Sequence, residues 1–251
     1  MTFSERRDII LEQLMEKGSV TVSELSKIFK VSSVTVRADL VALEEEGVLV
    51  RTHGGAHPAF HPQIFERSRD KMEIKAAIAK AAAAEIRDGD TVIISAGTTT
   101  ALIAKYLLGK RDIHLVTNNT LVLPHARMNP QLRVTLVGGE FHASEEGIVG
   151  SMALTALEQF YVSKAFIGID GASEKQGFTA HFLESAELVR KMADQAEKVL
   201  VVSDSSKFGK PGFARILPFE KVDALVTDQK IAPAFEALLT KVHIQVLKAS
   251  Y

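Results

Sequence analysis

Cysteine is missing from this 251-residue sequence, which removes disulfides, thiolate metal sites and cysteine nucleophiles at once and fits a reducing compartment. Also missing is any run of about 18 uninterrupted apolar residues, the length a membrane span needs. The longest bland stretch, Ala76 to Ala84, is broken by Lys80 and bounded by Lys75 and Glu85. The opening MTFSERRDII carries acidic residues and lacks the apolar centre of a secretory signal. Neither sign of charge dominates: the net is −1, and residues 1–57 hold seven Lys/Arg against nine Asp/Glu. That argues against wholesale nonspecific nucleic-acid binding, and any DNA contact must rest on where charges sit rather than on their number. Internal repeats and low-complexity segments are absent too. What is present is a hydrophobic share of 46%, enough for a sizeable core and against general disorder. The length suits one large domain, or a small one plus a medium one. A soluble, cytoplasmic protein with no membrane partner is expected.

Two textures divide the chain. In the first, Ile9, Ile10, Leu14 and Met15 recur at helical spacing and Gly18 stops the pattern. Thr21-Val22-Ser23-Glu24 is a capping box opening a second helix with the stripe Val22, Leu25, Ile28 and Phe29. Ser32 is a plausible N-cap for a third, in which Val36, Leu40 and Leu43 face inward. Gly47 ends it, Val48 to Thr52 is β-like, and His53-Gly54-Gly55 makes a turn. Three short helices and a hairpin predict a winged helix-turn-helix over 1–57. Residues 58–74 read as a linker, with Pro58, Pro62 and the charge run Glu66–Lys71, although some helix is compatible with it.

From residue 75 onward, short apolar strands alternate with helical patterns. Strands are expected at Thr91–Ser95, His114–Thr117, Arg133–Val137, Ala165–Asp170, Val199–Ser203, Ala224–Thr227 and His243–Leu247. Helices are expected at Lys75–Ile86, Thr100–Leu107, Ser151–Phe160, Ser185–Ala196 and Pro233–Thr240. Such alternation predicts an α/β domain over 75–251 with a mainly parallel, doubly wound sheet.

The third helix is the candidate DNA reader. Ser33, Val34, Thr35 and Arg37, near its start beside the capping Ser32, are short or polar enough to reach base edges. Arginine can pair bidentately with guanine, and valine or threonine can touch a thymine methyl. Arg6, Arg7, Lys27, Lys30, Arg51 and His53 are candidates for phosphates, while Glu44, Glu45 and Glu46 lie at the far end. The bland alternative is a trihelical packing module with no DNA partner.

Five polar or glycine-rich motifs follow predicted strands: Ser95–Thr100, Thr117-Asn118-Asn119, Gly138-Gly139-Glu140, Asp170-Gly171-Ala172 and Asp204-Ser205-Ser206-Lys207. In a doubly wound sheet, ligands bind beyond the carboxyl ends of the strands. Gly97-Thr98-Thr99-Thr100 opens a helix, so free backbone N–H groups there would favour an anion. Lys207 could supply positive charge, Asp170 and Asp204 could accept from sugar hydroxyls, and Asn118 can donate and accept. Together these suit a phosphorylated sugar. Gly138-Gly139 and Gly171 serve equally well as plain turns, and Asp170 and Asp204 as caps. No cofactor or metal is expected: His142 and His181 have no second ligand at a suitable spacing.

Ser4-Glu5-Arg6-Arg7-x-x-Ile10, Val31-Ser32-x-x-Thr35-Val36-Arg37-x-Asp39-Leu40, Leu43-Glu44-x-x-Gly47 and Arg51-Thr52-His53-Gly54-Gly55-Ala56 resemble the N-terminal signature of DeoR-type repressors. The ligand motifs and the stretch around Ala186–Met192 resemble that family's effector domain, whose fold is similar to ribose-5-phosphate isomerase. Two departures stand out: Ala38, where many relatives carry a second basic residue, and Ser95, where an aspartate is common. The resemblance implies an operator-binding repressor of a carbohydrate catabolic operon, relieved by a phosphorylated sugar. Its partners would be double-stranded operator DNA, the sugar effector and copies of itself, in a dimer or tetramer, because pairing extends the short site that one head reads. The rival is an enzyme, a sugar-phosphate isomerase or transferase with a helical appendage. It would need a general base such as Asp170 or Glu184, yet Ala172-Ser173 follows Asp170-Gly171 where an isomerase would need a carboxylate cluster.

Overall fold

A computed structural model describes residues 1–250. The chain divides into two compact units, Met1–Arg67 and Ser68 onward. The first contains α1 (Phe3–Lys17), β1 (Val20–Thr21), α2 (Val22–Phe29), α3 (Ser33–Glu45), β2 (Leu49–Arg51) and β3 (Gly55–Pro58). Local chemistry sets each helix start. Thr2 with Glu5, and Thr21 with Glu24, form capping boxes, and Ser32 Oγ accepts from Thr35 N–H at 3.2 Å. Gly18 ends α1 in the left-handed conformation. The apolar stripes meet in one core that includes Ile10, Leu14, Leu25, Val36, Leu40 and Leu49, each buried side chain contributing roughly 1.5–3 kcal/mol. The three strands pair in the order β1-β3-β2 and form the wing.

The stretch 58–74 carries regular structure. Pro62 opens α4 (Pro62–Arg69), a position where its missing N–H costs nothing. Ile64 and Phe65 are buried, Phe65 within the head's core.

The second unit contains α5 (Met72–Ala84), β4 (Thr91–Ile94), α6 (Thr98–Lys105), β5 (Ile113–Thr117), α7 (Val122–Ala126), β6 (Leu132–Leu136), β7 (Glu140–His142) and β8 (Gly147–Val149). It continues through α8 (Ser151–Leu157), β9 (Val162–Ile167), β10 (Gly171–Ser173), β11 (Gly177–Ala180), α9 (Leu183–Asp194) and β12 (Ala196–Val202). After β12 come β13 (Ala214–Leu217), β14 (Ala224–Asp228), α10 (Pro233–Lys241) and β15 (Gln245–Ala249). Seven strands form one sheet in the order β15-β14-β12-β9-β4-β5-β6, every pair parallel. Side-chain alternation sorts each strand between two cores. Val92 and Ile94 face the core built with α5 and α6, whereas Ile93 faces the one built with α8 and α9. The chain runs one way from β4 through β5 to β6, then returns to β9 and runs the other way. The junction of β4 and β9 is therefore the topological switch point.

The antiparallel sheet β10-β11-β13 and the hairpin β7-β8 flank this frame. No helix among the described residues is long and apolar enough to cross a membrane.

Candidate nucleic-acid interface and ligand edge

In the head, the start of α2, the start of α3 and the wing turn surround a groove of ≈ 510 Å³ lined by Val22, Ser23, Ser26, Lys27, Ser33, Arg37 and Gly54. Gly54 is held against α2 by its carbonyl, which accepts from Val22 N–H at 2.8 Å. Ser33, Arg37 and His53 are exposed, and Val34 exposes 72% of its surface, an apolar patch suited to a thymine methyl. Among the described residues nothing pairs with the Arg37 guanidinium. Ser32 and Thr35 are turned to each other, with hydroxyls 3.0 Å apart, so both act first as the cap of α3.

Arg6 corrects the expectation of a phosphate contact. Its Nε and Nη2 donate to the two Asp39 carboxylate oxygens at 2.6 and 2.9 Å, and Nη1 donates to the Met1 carbonyl. The side chain is 11% exposed and braces α1 against α3. Charge assistance from Asp39 raises the Arg6 pKa further. Arg7 is similarly held by Glu46 at 3.0 Å. Arg51 stays near the surface but ties to Glu44 through its backbone N–H and its Nε, and these bonds hold the Glu44 carboxyl below its ordinary value.

In the second unit, the expected ligand residues do lie beyond the carboxyl ends of parallel strands. Their side chains divide between bracing and presentation. Thr100 Oγ1 donates to the Ser95 and Gly97 carbonyls, and Thr117 Oγ1 to the Ile94 carbonyl. Both side chains are fully buried. Asn118 accepts from Ala96 N–H at 2.7 Å and donates to the Ile148 carbonyl at 2.9 Å. Thr100, Thr117 and Asn118 therefore do not offer hydroxyl or amide groups to a ligand; they fix the loop that would hold one. Gly97 and Thr99 are half-buried, Thr98 is buried, and no side chain caps α6. The first-turn amides of an α-helix have no partner inside it, and the helix dipole makes this end favourable for an anion.

Gly138 is open to solvent, whereas a Cβ on Gly139 would fall 2.5 Å from the Val149 carbonyl oxygen; Gly139 serves the close approach of β8. Gly171 is likewise set by packing, its ideal Cβ meeting the Lys210 carbonyl at 1.9 Å. Asp170 accepts from His181 N–H at 2.9 Å. Asp204 corrects the expectation of a sugar-hydroxyl acceptor. Buried to 3% exposure, it takes Ser206 N–H and Oγ and lies 3.5 Å from Lys71 Nζ. Burial pushes its pKa up, but the Ser206 hydrogen bonds and the charges of Lys71 and Lys207 outweigh that, leaving it below the ordinary carboxylate value. Lys207 is half-buried beside it.

Across the switch point, Ser95 Oγ accepts from Gly168 N–H at 2.9 Å, tying β4 to β9. Thus Gly97–Thr100, Thr117–Asn118 and Gly168 share one set of contacts. Asp204 and Lys207 lie together, and Asp170–Gly171 sits against residues 210–212 nearby.

The sequence matches the family model described as "DeoR-like helix-turn-helix domain" over residues 6–59 and that described as "DeoR C terminal sensor domain" over residues 70–229. The chain belongs to the DeoR family. Relatives agree along its whole length. The HTH-type transcriptional repressor GlcR of Bacillus subtilis is 33% identical, over 97% of this chain and 95% of that one. The glycerol-3-phosphate regulon repressor of Escherichia coli K12 is 30% identical, over 98% and 99%. Among solved structures, ribose 5-phosphate isomerase A from Methanocaldococcus jannaschii aligns at 16% identity and TM-score 0.40, covering 56% of each chain.

Two functional candidates in this DeoR-family chain, Ser26 and Lys71, escaped the sequence reading, and a third, Asn119, was read only as part of the motif Thr117-Asn118-Asn119. Ser26 Oγ is buried with no hydrogen-bond partner among the described residues, and Ser26 lines the head groove; the expected stripe Val22, Leu25, Ile28 and Phe29 left it out. Asn119 Nδ2 donates to the Ser95 and Gly97 carbonyls, a role no spacing announces. Lys71, counted as linker, reaches Asp204 and Ser206, residues more than a hundred positions away.

Proposed function

We propose that this DeoR-family protein represses a carbohydrate catabolic operon and lets go of its operator when a phosphorylated sugar binds the second unit. Direct readout falls to Ser33, Val34 and Arg37, with Lys27 and the wing's His53 and Arg51 against phosphates. The anion of the effector rests on the uncapped start of α6 at Gly97–Thr99, with Lys207 as the neighbouring cation and the five strand-end motifs as its frame. Two or more copies act together, as a dimer or tetramer, because a pair of heads reads a longer site than one. We read the protein as a cytoplasmic regulator and not an enzyme; the Asp170 carboxylate, the candidate base, is engaged with His181 N–H.

The observation that carries this reading is the free guanidinium of Arg37 on the exposed face of a capped α3. Arg37→Ala removes one bidentate base contact, worth about 1–3 kcal/mol, which is roughly a 5- to 150-fold loss of specific affinity per head. Fluorescence anisotropy with double-stranded DNA from upstream of the protein's own gene measures it, with circular dichroism as the check on folding. An unchanged operator affinity in the folded variant overturns the assignment.

A further inference from the structure

The turn between α4 and α5 is only two residues long, Asp70 and Lys71. Nothing in its sequence requires a break. From Ile64 to Lys75 the chain reads IFERSRDKMEIK, without glycine or proline and rich in good helix formers. The break is nevertheless there, because Lys71 takes the left-handed conformation, φ 54° and ψ 39°, which is disfavoured for any residue with a Cβ. No side chain caps α5 at this point. What holds the turn is the Lys71 ammonium itself, which donates to Ser206 Oγ at 2.8 Å and lies 3.5 Å from Asp204 Oδ1 and 3.1 Å from Asp70 Oδ2.

Asp204 and Ser206 belong to the loop after β12, the part of the ligand edge that includes Lys207. The contact is lopsided in its access to water: the Asp204 side chain is 4% exposed and that of Lys71 35%. A solute can reach the ammonium but hardly the carboxylate. We propose that Lys71 is a latch between the ligand edge and the linker. An anionic ligand on the 204–207 loop competes with Asp204 for the ammonium and the left-handed turn loses its anchor. Lys71 then relaxes to right-handed, so that α4 and α5 join as one helix in the segment that leads to the head. The ligand step rests on the reading of this edge as a phosphate sensor; the latch does not.

The experiment uses the full chain as wild type, Lys71→Met, Lys71→Arg and Asp204→Asn. Hydrogen exchange is followed at Met72, Glu73 and Ile74, whose amides begin α5 and gain partners only if α4 runs into it. Anisotropy on upstream DNA follows operator affinity. Lys71→Met and Asp204→Asn should each slow those amides at least tenfold and weaken operator binding about 5- to 150-fold, the span of ordinary allosteric coupling. Combining them should add little, since both break one contact. Lys71→Arg keeps the charge and should restore both readings. Inorganic phosphate, compared with chloride at equal ionic strength, should slow the same amides in the wild type, and no change there overturns the ligand step. Unaltered amides in Lys71→Met overturn the latch, and slowed amides with unchanged operator affinity overturn its role in signalling. A wild type that ignores the DNA sinks the regulator reading alone, because the exchange measurement still decides the latch.

Discussion

Gly55 shows how one residue type answers two questions at once. The His53-Gly54-Gly55 turn was legible as a turn, yet only the fold reveals which glycine is obligatory. A Cβ on Gly54 meets nothing within 4 Å, whereas one on Gly55 would stand 1.8 Å from the Val20 carbonyl oxygen, where β3 pairs with β1. Gly55→Ala must push those backbones apart, costing at least about 1–3 kcal/mol, while Gly54→Ala should cost far less. Urea unfolding of the two variants checks the contrast, and equal midpoints would refute it. Arg6 teaches the opposite lesson. A basic residue near the start of a DNA-reading head looks like a phosphate ligand in one dimension. Its partner Asp39 lies 33 residues on, and no local pattern discloses that pairing.

At the scale of elements, all seven core strands were legible because each is a short β-rich run between helical patterns. Their ends were less so. β9 begins at Val162, before the expected Ala165, because Lys164 looks polar in the sequence yet pairs in the ladder with both β12 and β4, and Val162 pairs with Ala196 of β12. β10, β11 and β13 were not read: they are three or four residues long, too brief for periodicity to register. The loop after β12 was legible as a motif, but its work was not. Asp204 N-caps the three-residue turn Ser205–Lys207 and anchors Lys71. With its pKa held below the ordinary carboxylate value, it contributes stability that is fully present above that value and is lost as pH falls through the lowered one. Acidification from pH 6 toward pH 3 should therefore loosen this loop, and Asp204→Asn should flatten that part of the profile. Thermal melts across the range measure it; parallel profiles for variant and wild type would show that Asp204 is not the group responsible.

For the whole molecule, the division into a reading head and a sensing sheet was visible as a change of texture, from helices in quick succession to strand–helix alternation. The alternation also pointed to the candidate ligand edge, since consecutive parallel strands must end on one side of their sheet. It could not say which polar groups there are spent on the fold. Thr100, Thr117 and Asn118 are spent, while the α6 amides around Thr99 are not capped by any side chain, and this difference yields a test that separates the two halves. Thr99→Glu places a carboxylate in the first turn of α6, where the dipole favours it by about 0.3–1 kcal/mol, and so occupies the proposed anion position with the protein's own charge. The variant should melt no lower than wild type and keep its affinity for the upstream DNA, but lose any shift in melting temperature across a panel of sugar phosphates. Calorimetry then gives the decisive comparison. A sugar phosphate that binds wild type and Thr99→Glu equally well would move the effector away from this helix, leaving the head's role untouched.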